Sequence, residues 1–410
     1  DNSSGYSQGM SLSSDGNTVA IGALNNDGNG SKSGHVRIYN WDGSAWTQIG
    51  QDIDGEAYED RSGQYVSLSS DGNTVAIGAQ YNDGNGNNSG HVRIYNYNGV
   101  SWNQLGNDID GEAGGDLSGS VSLSSNGNTL AIGAEYNSGN GNQSGHVRVY
   151  NWDGNSWNQV GQDIDGAGQY DLMGYSVSLS SDGNIVAIGG RESEFGTNSM
   201  SGHVKIYSYN GSSWNQLGQD LWGDTCFSFF GQSVSLSSDG DILAVGAYAD
   251  GLIKSDCNGM NGSEEGLTRI YSYDGNFWNP IQDIYGESPH DYSGVSVSLS
   301  SDGNKVAIGA QNNDGNGNNS GHVRVYNLPT LINTSGCDST AILYLNLNYS
   351  NTGTTAETAC DSYSWDGVTY TISGAYTNTY TNIAGCDSVH TLNLTINYSN
   401  TGTTAETACD

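Results

Sequence analysis

The sequence predicts an all-β protein: a β-propeller of six visible repeat units, seven being open for the full protein, followed by a small β-sandwich-like C-terminal module. Three observations carry this reading. The 410 residues include 61 Gly and only 3 Pro, and short Val-Ile-Tyr-Trp segments separated by Gly/Asn turns suit short strands. The phrase SSDGN or its equivalent recurs at Asp15, Asp71, Asn126, Asp182, Asp239 and Asp302, a period near that of propeller blades. Each unit also carries up to four alternating phrases, as a four-stranded blade requires.

In the second copy the phrases are YVSLSS, TVAIGA, HVRIYNY and SWNQLG. Val66 and Leu68 share one face, with Ser67 and Ser69 on the other. Val75 and Ile77 alternate with Ala76 and Gly78, small residues that let sheets crowd face to face. Val92 and Ile94 share a face; His91, Arg93 and Tyr95 share the opposite one. SSDGN between the first two phrases reads as a tight turn, with Asp-Gly supplying backbone freedom and local hydrogen bonds. The Trp phrase appears at Trp46, Trp102, Trp157, Trp214 and Trp278 but not in copy six. The expected donor of that fourth strand is sequence preceding Asp1.

From about residue 330 the pattern changes. TGTTAETACD occurs at 352–361 and again at 401–410, and GCDS at 336–339 and 385–388. The expected division is 1–329 for the propeller and 330–410 for tandem Cys-containing β modules, partial at both ends.

Composition limits the partners. With 11 Lys+Arg against 44 Asp+Glu, the formal net charge is −33, which disfavours nucleic acid and anionic membrane. No apolar run is long enough to cross a bilayer. Six cysteines and little lysine suit an oxidising, extracellular setting. The bridges left open are Cys226–Cys257, then either Cys337–Cys360 with Cys386–Cys409, or Cys360–Cys386.

Candidate sites follow from repetition. The loop DGNGNNSG before the third strand offers Asp83, Asn85 and Asn87 as oxygen donors for Ca2+, though one carboxylate per loop favours a structural turn. DIDGE supplies Asp52, Asp54, Glu56, Asp108, Asp110 and Glu112, read as a solvated acidic edge. Arg37, Arg93, Arg148, Arg269 and Arg324 read as structural pairs or aromatic stacks. His35, His91, His146, His203 and His322 stand one per unit, which argues against a local metal cluster. The loops of copies four and five lose the DGNG phrase, so Arg191, Glu192, Glu194, Lys254 and Asp256 are candidate partner contacts. No nucleophile elbow, phosphate loop or zinc helix is present, and the chain is expected not to be an enzyme.

GQSVSLSSDGDILAVGA at 231–247, preceded by Phe230, resembles an FG-GAP repeat. GHVRIY and SWNQLG match its later strands, and the resemblance spans roughly residues 1–328. It implies an integrin-α-like propeller that binds partners across loops on one face. The short SSDGN hairpin departs from that family's acidic calcium loop. The Cys-Asp repeats resemble modules of large Bacteroidetes surface proteins. Together these imply a secreted or surface-attached adhesin-like protein recognising protein or glycan. A surface-layer or filament subunit, with self-association, is the alternative; a secreted glycan-active enzyme ranks below both.

Overall fold

A computed structural model of the protein describes residues 9–193, 200–251, 264–328, 353–381 and 387–397. It is all-β, and its contacts separate two compact units, Asp1–Gly336 and Cys337–Asp410.

The first unit holds six antiparallel sheets of one topology, as a propeller requires. In the second sheet the strands Tyr65–Leu68, Thr74–Ala79 and His91–Tyr97 pair in sequence, and His91–Tyr97 then pairs with both Trp102–Gln104 and Ile109–Asp110. These last two form one interrupted outer strand. In the fifth sheet the same position is the continuous strand Trp278–Tyr285, with an irregularity between Ile270 and Tyr271 in its partner. The sixth sheet has three strands, Ser293–Leu299, Lys305–Ala310 and His322–Asn327; no fourth pairs with them among the described residues.

The SSDGN turn closes as its residues predict. Asp71 accepts from the Ser69 hydroxyl at 2.6 Å and the Asn73 amide at 3.0 Å, while Gly72 takes φ 71°. Neighbouring sheets then meet through glycine. A Cβ on Gly78 would lie 1.9 Å from the carbonyl oxygen of Gly119 in the next sheet. The same contact joins Gly22 to Gly63 and Gly133 to Gly174, which explains the glycine of TVAIGA.

Two belts tie the innermost strands together. Each turn donates a backbone bond to the next: Ser14 to Ser70, Ser70 to Ser125, Ser125 to Ser181, Ser181 to Ser238 and Ser238 to Ser301, all 2.9–3.0 Å. One strand earlier, serine hydroxyls accept from leucine amides of the following sheet. Leu68, Leu123, Leu179, Leu236 and Leu299 consequently line one cavity of about 190 Å³ on the common axis.

The cores lie between sheets. Val92, Ile94, Leu130 and Ile132 are fully or almost fully buried in one such layer. Trp102 is 2% exposed and its Nε1 donates to the Ile49 carbonyl of the preceding sheet at 2.9 Å. Trp157, Trp214 and Trp278 repeat the bond. Trp46, in the first sheet, is 46% exposed, and Val323 and Val325 in the sixth are 70% and 67% exposed. Among the described residues, one face of each of these sheets therefore lacks the packing that interior faces have.

In the second unit, Asp387–Asn397 pairs in parallel with Gly353–Cys360 and antiparallel with Gly374–Thr381. Tyr363–Trp365 and Val368–Tyr370 form a hairpin. Leu392, Leu394 and Ile396 form its core against Tyr363, Trp365, Tyr370 and Tyr376.

The expected disulfide set is corrected. No bridge joins two described residues: Cys226 and Cys360 are each half of a disulfide, whereas Cys257, Cys337, Cys386 and Cys409 lie outside the described residues. None of the pairings drawn from the sequence is found among the described residues.

Candidate functional site

The residues that the fold brings together come from two motifs, the third strand and the acidic phrase. His91 and Arg93 are two apart on one strand and so point to the same side. Asp110 lies on the short outer strand that pairs with it and registers against His91, and Asp108 stands just before that strand. The acidic phrase of the preceding unit adds Glu56. His91 Nδ1 lies 3.9 Å from Glu56 Oε2 and 3.7 Å from Asp108 Oδ2. The next unit repeats this with His146, Glu112 and Asp163 at 3.8 and 4.0 Å. In the first unit Asp54 takes the glutamate's place, with His35 at 3.9 Å from both Asp52 and Asp54.

In each of these three clusters, one imidazole nitrogen and two carboxylate oxygens lie close enough to hold a single divalent ion, Ca2+ included. The imidazole is in its ligating form. Burial pushes His91 down to about 4, Arg93 adding to the effect and Asp108 opposing it. Burial does the same to His146, again to about 4. Such rings are neutral at pH 7 and keep a lone pair free. Burial also raises the Glu56 carboxyl, against the attraction of Arg93.

Arginine is the built-in competitor for these carboxylates. Arg93 Nη1 stands 3.4 Å from Glu56 Oε1, and Arg148 Nη1 stands 3.5 Å from Glu112 Oε1. Arg37 binds both oxygens of Asp52 and holds that carboxyl below its ordinary range. The remaining units lose the cluster in identifiable ways. Ala167 stands where Glu56 and Glu112 stand, and His203 stacks on Trp222 at 5.0 Å. Leu267 replaces the histidine in the fifth unit, where Arg269 bonds Asp283 and Asp224. In the sixth, His322 is 4.0 Å from Glu287, which also pairs with Arg324.

The loop residues singled out from sequence occupy a neighbouring place. Asp83 accepts the Asn88 amide at 2.7 Å. The Asn85 side-chain amide donates to the carbonyls of Gly111 and Glu112 at 2.8 and 3.0 Å, latching the DGNG loop onto the acidic phrase. The backbone carbonyl of Asn87 accepts from Gly115, and the residue is exposed. Arg191 lies 4.1 Å over the Tyr175 ring and 3.4 Å from Glu192. Glu194, Lys254 and Asp256 lie outside the described residues.

Two expectations change. A single histidine per unit is enough for a cluster, because the acids come from the same unit and the one before it. The expectation that the chain is no enzyme is also overturned: a neutral imidazole and two carboxylates about one point form a donor set of metal-assisted hydrolysis.

Comparison with known proteins agrees with the fold. Residues 286–326 match the family model described as FG-GAP repeat, from the end of one acidic phrase through the three strands after it. No curated protein matches. Among solved structures, the periplasmic gluconolactonase of Pseudomonas aeruginosa is similar at a TM-score of 0.51 and 17% identity, over 80% of this chain and 82% of that one. Kuenenia stuttgartiensis hydrazine synthase is similar at 0.50 and 12%, over 78% and 82%. Likeness at these identities is a likeness of fold, and it places the chain in the β-propeller class.

Proposed function

We propose that the protein is an extracytoplasmic β-propeller that binds divalent cations between its blades and uses the surface so fixed to recognise a protein or glycan, in the manner of an adhesin. The observation that carries the reading is the cluster Glu56–His91–Asp108, repeated as Glu112–His146–Asp163. A cation there would join the acidic phrase of one unit to the third strand of the next. Nitrogen in the donor set favours Zn2+ or Mn2+ over Ca2+. An extracytoplasmic setting agrees with the strongly acidic chain, with the fold shared with a periplasmic protein and with the resemblance of the C-terminal repeats to bacterial surface modules.

A second reading is metal-assisted hydrolysis. Three protein donors leave a coordination position for water, as catalytic rather than structural sites do. The substrate would then be met at the outer rim of the interblade layer, where Glu56 and Glu112 are exposed.

Titration calorimetry with ZnCl2, MnCl2 and CaCl2 on the full chain tests the cation reading. The double variant Glu56→Gln/Asp108→Asn should lose one of the binding events, its own site weakened at least about tenfold by the loss of two charged donors while the other two clusters bind as before. Equal heats in the variant and the parent chain would refute it. A glycan array run with and without EDTA tests recognition separately.

A further inference from the structure

One position in the repeat breaks the rule of sameness. The residue directly after the second strand is Gln80, Glu135, Arg191 and Tyr248 in units two to five, whereas the strands themselves repeat almost unchanged. These residues meet others at the start of the innermost strands: Gln64, Tyr65, Tyr175 and Gln232. The second and innermost strands run antiparallel, Tyr65 registering with Gly78. The end of one therefore lies beside the beginning of the other, away from the Leu68 cavity at the opposite end of the innermost strands.

The side chains from these four sheets converge. Gln64 Nε2 donates to Gln80 Oε1 at 2.9 Å, and Gln232 Nε2 donates to the Tyr175 hydroxyl at 3.1 Å. The Arg191 guanidinium covers the Tyr175 ring and pairs with Glu192. Arg191 and Glu135 both act electrostatically on Tyr65 and Tyr175, which stand in different sheets. Burial pushes the Glu135 carboxyl up to about 7, with Arg191 and Gln80 opposing the rise.

The cluster is not self-sufficient. Glu135 is 6% exposed and its Oε2 has no hydrogen-bond partner among the described residues. Gln232 is 5% exposed and its Oε1 has none there either; Gln64 Oε1 and Arg191 Nε are likewise unpaired among the described residues. A buried polar atom left unpaired is costly. These atoms are closed to solvent in the unliganded chain, so a ligand reaches them once the half-buried Gln64, Tyr175 and Arg191 side chains move aside; three acceptors and one donor, beside tyrosine rings, then fit a ligand rich in hydroxyl donors. The guanidinium disfavours a cation, and its pairing with Glu192 leaves little net charge for an anion. We infer that Gln64, Glu135, Tyr175, Arg191 and Gln232 form an axial binding site for a small neutral polyhydroxylated ligand, a saccharide residue. This deepens the glycan-recognition reading and rests on it, but it is independent of the cation clusters.

The test is an NMR or calorimetric titration of the full chain with D-glucose, D-galactose, N-acetylglucosamine and D-glucuronate. At least one neutral sugar should bind, with affinity unchanged by EDTA. Gln64→Leu and Gln232→Leu, in separate sheets, should each weaken it about tenfold, the effect of one lost hydrogen bond. Two variants guard against a folding defect in either. Sugar binding that is unaltered in both variants would refute the axial assignment while leaving glycan recognition standing. No binding by any neutral sugar would sink the inference and, with a blank glycan array, the recognition reading as well. Binding of glucuronate alone would overturn the neutral ligand class.

Discussion

The backbone N–H of Leu123 donates to the hydroxyl of Ser67 at 2.9 Å, across a separation of 56 residues. The bond joins the innermost strands of two sheets, and each of the five successive pairs of sheets has its counterpart. A strand amide that faces another sheet, not a ladder partner, needs such an acceptor. Ser67→Ala should therefore lower stability by about 1–2 kcal/mol, read from the midpoint of urea unfolding. Ser67→Thr, which keeps the hydroxyl, should lose much less; equal losses would show that the bond contributes nothing.

The tryptophans differ by position in the ring of sheets. Trp102 is 2% exposed and donates to Ile49, whereas Trp46 is 46% exposed. Trp102→Ala should cost about 3–5 kcal/mol. Trp46→Ala should cost clearly less, because nearly half of its surface stays in water on folding. Comparable losses of thermal midpoint in the two variants would contradict the packing described.

Histidine burial sets a pH dependence. His91, His146 and His203 are each pushed down to about 4 from the ordinary value of 6.5. Between those values the unfolded chain binds more protons than the folded one, so stability rises with pH across this window. Glu135, raised from 4.5 to about 7, acts in the opposite direction, its contribution falling as pH climbs through that range. Burial lowers His35 as well, whereas it raises Glu56, Asp110, Asp165, Asp241 and Asp250, which flatten the acid end of the window; the net slope should be positive toward pH 6.5, where the imidazoles dominate. Chemical denaturation at several pH values checks this, and Glu135→Gln should steepen the rise. A flat profile would mean that the imidazoles are protonated in the folded chain.

Arg93 competes with any cation for Glu56, whose Oε1 is 3.4 Å away. Removing the guanidinium charge removes a repulsion felt at short range. Arg93→Met should tighten Zn2+ or Mn2+ binding about tenfold by calorimetry. Weaker binding in this variant would mean that the arginine positions the carboxylate more than it opposes the ion.

Much of the blade was legible because its period and its alternation are local. Val66 with Leu68, and Val75 with Ile77, announce their faces directly, and Gly72 marks its turn. The candidate cation site was less legible, since its donors are scattered: Glu56 and Asp108 flank His91 from two different units. The available signal was the period of two in DID and in HVR, which sets acids and imidazole on one side of paired strands. The same acids in sequence fit a solvated edge equally well. The axial cluster left no repeat signature at all. Gln80, Glu135, Arg191 and Tyr248 share a position and no chemistry, so only their convergence in space relates them.

The bare faces of the first and sixth sheets have a further consequence. Between successive sheets the Gly78–Gly119 approach, the Ser67–Leu123 bond and the Trp102–Ile49 bond recur with the same residue types. These shared contacts carry no record of their own ordinal number. What tells one sheet from another is what varies between them, the His/acid clusters and the residue after the second strand. Among the described residues Met10, Leu12 and Trp46 of the first sheet, and Val323 and Val325 of the sixth, remain exposed, surfaces of the kind that every interior step covers.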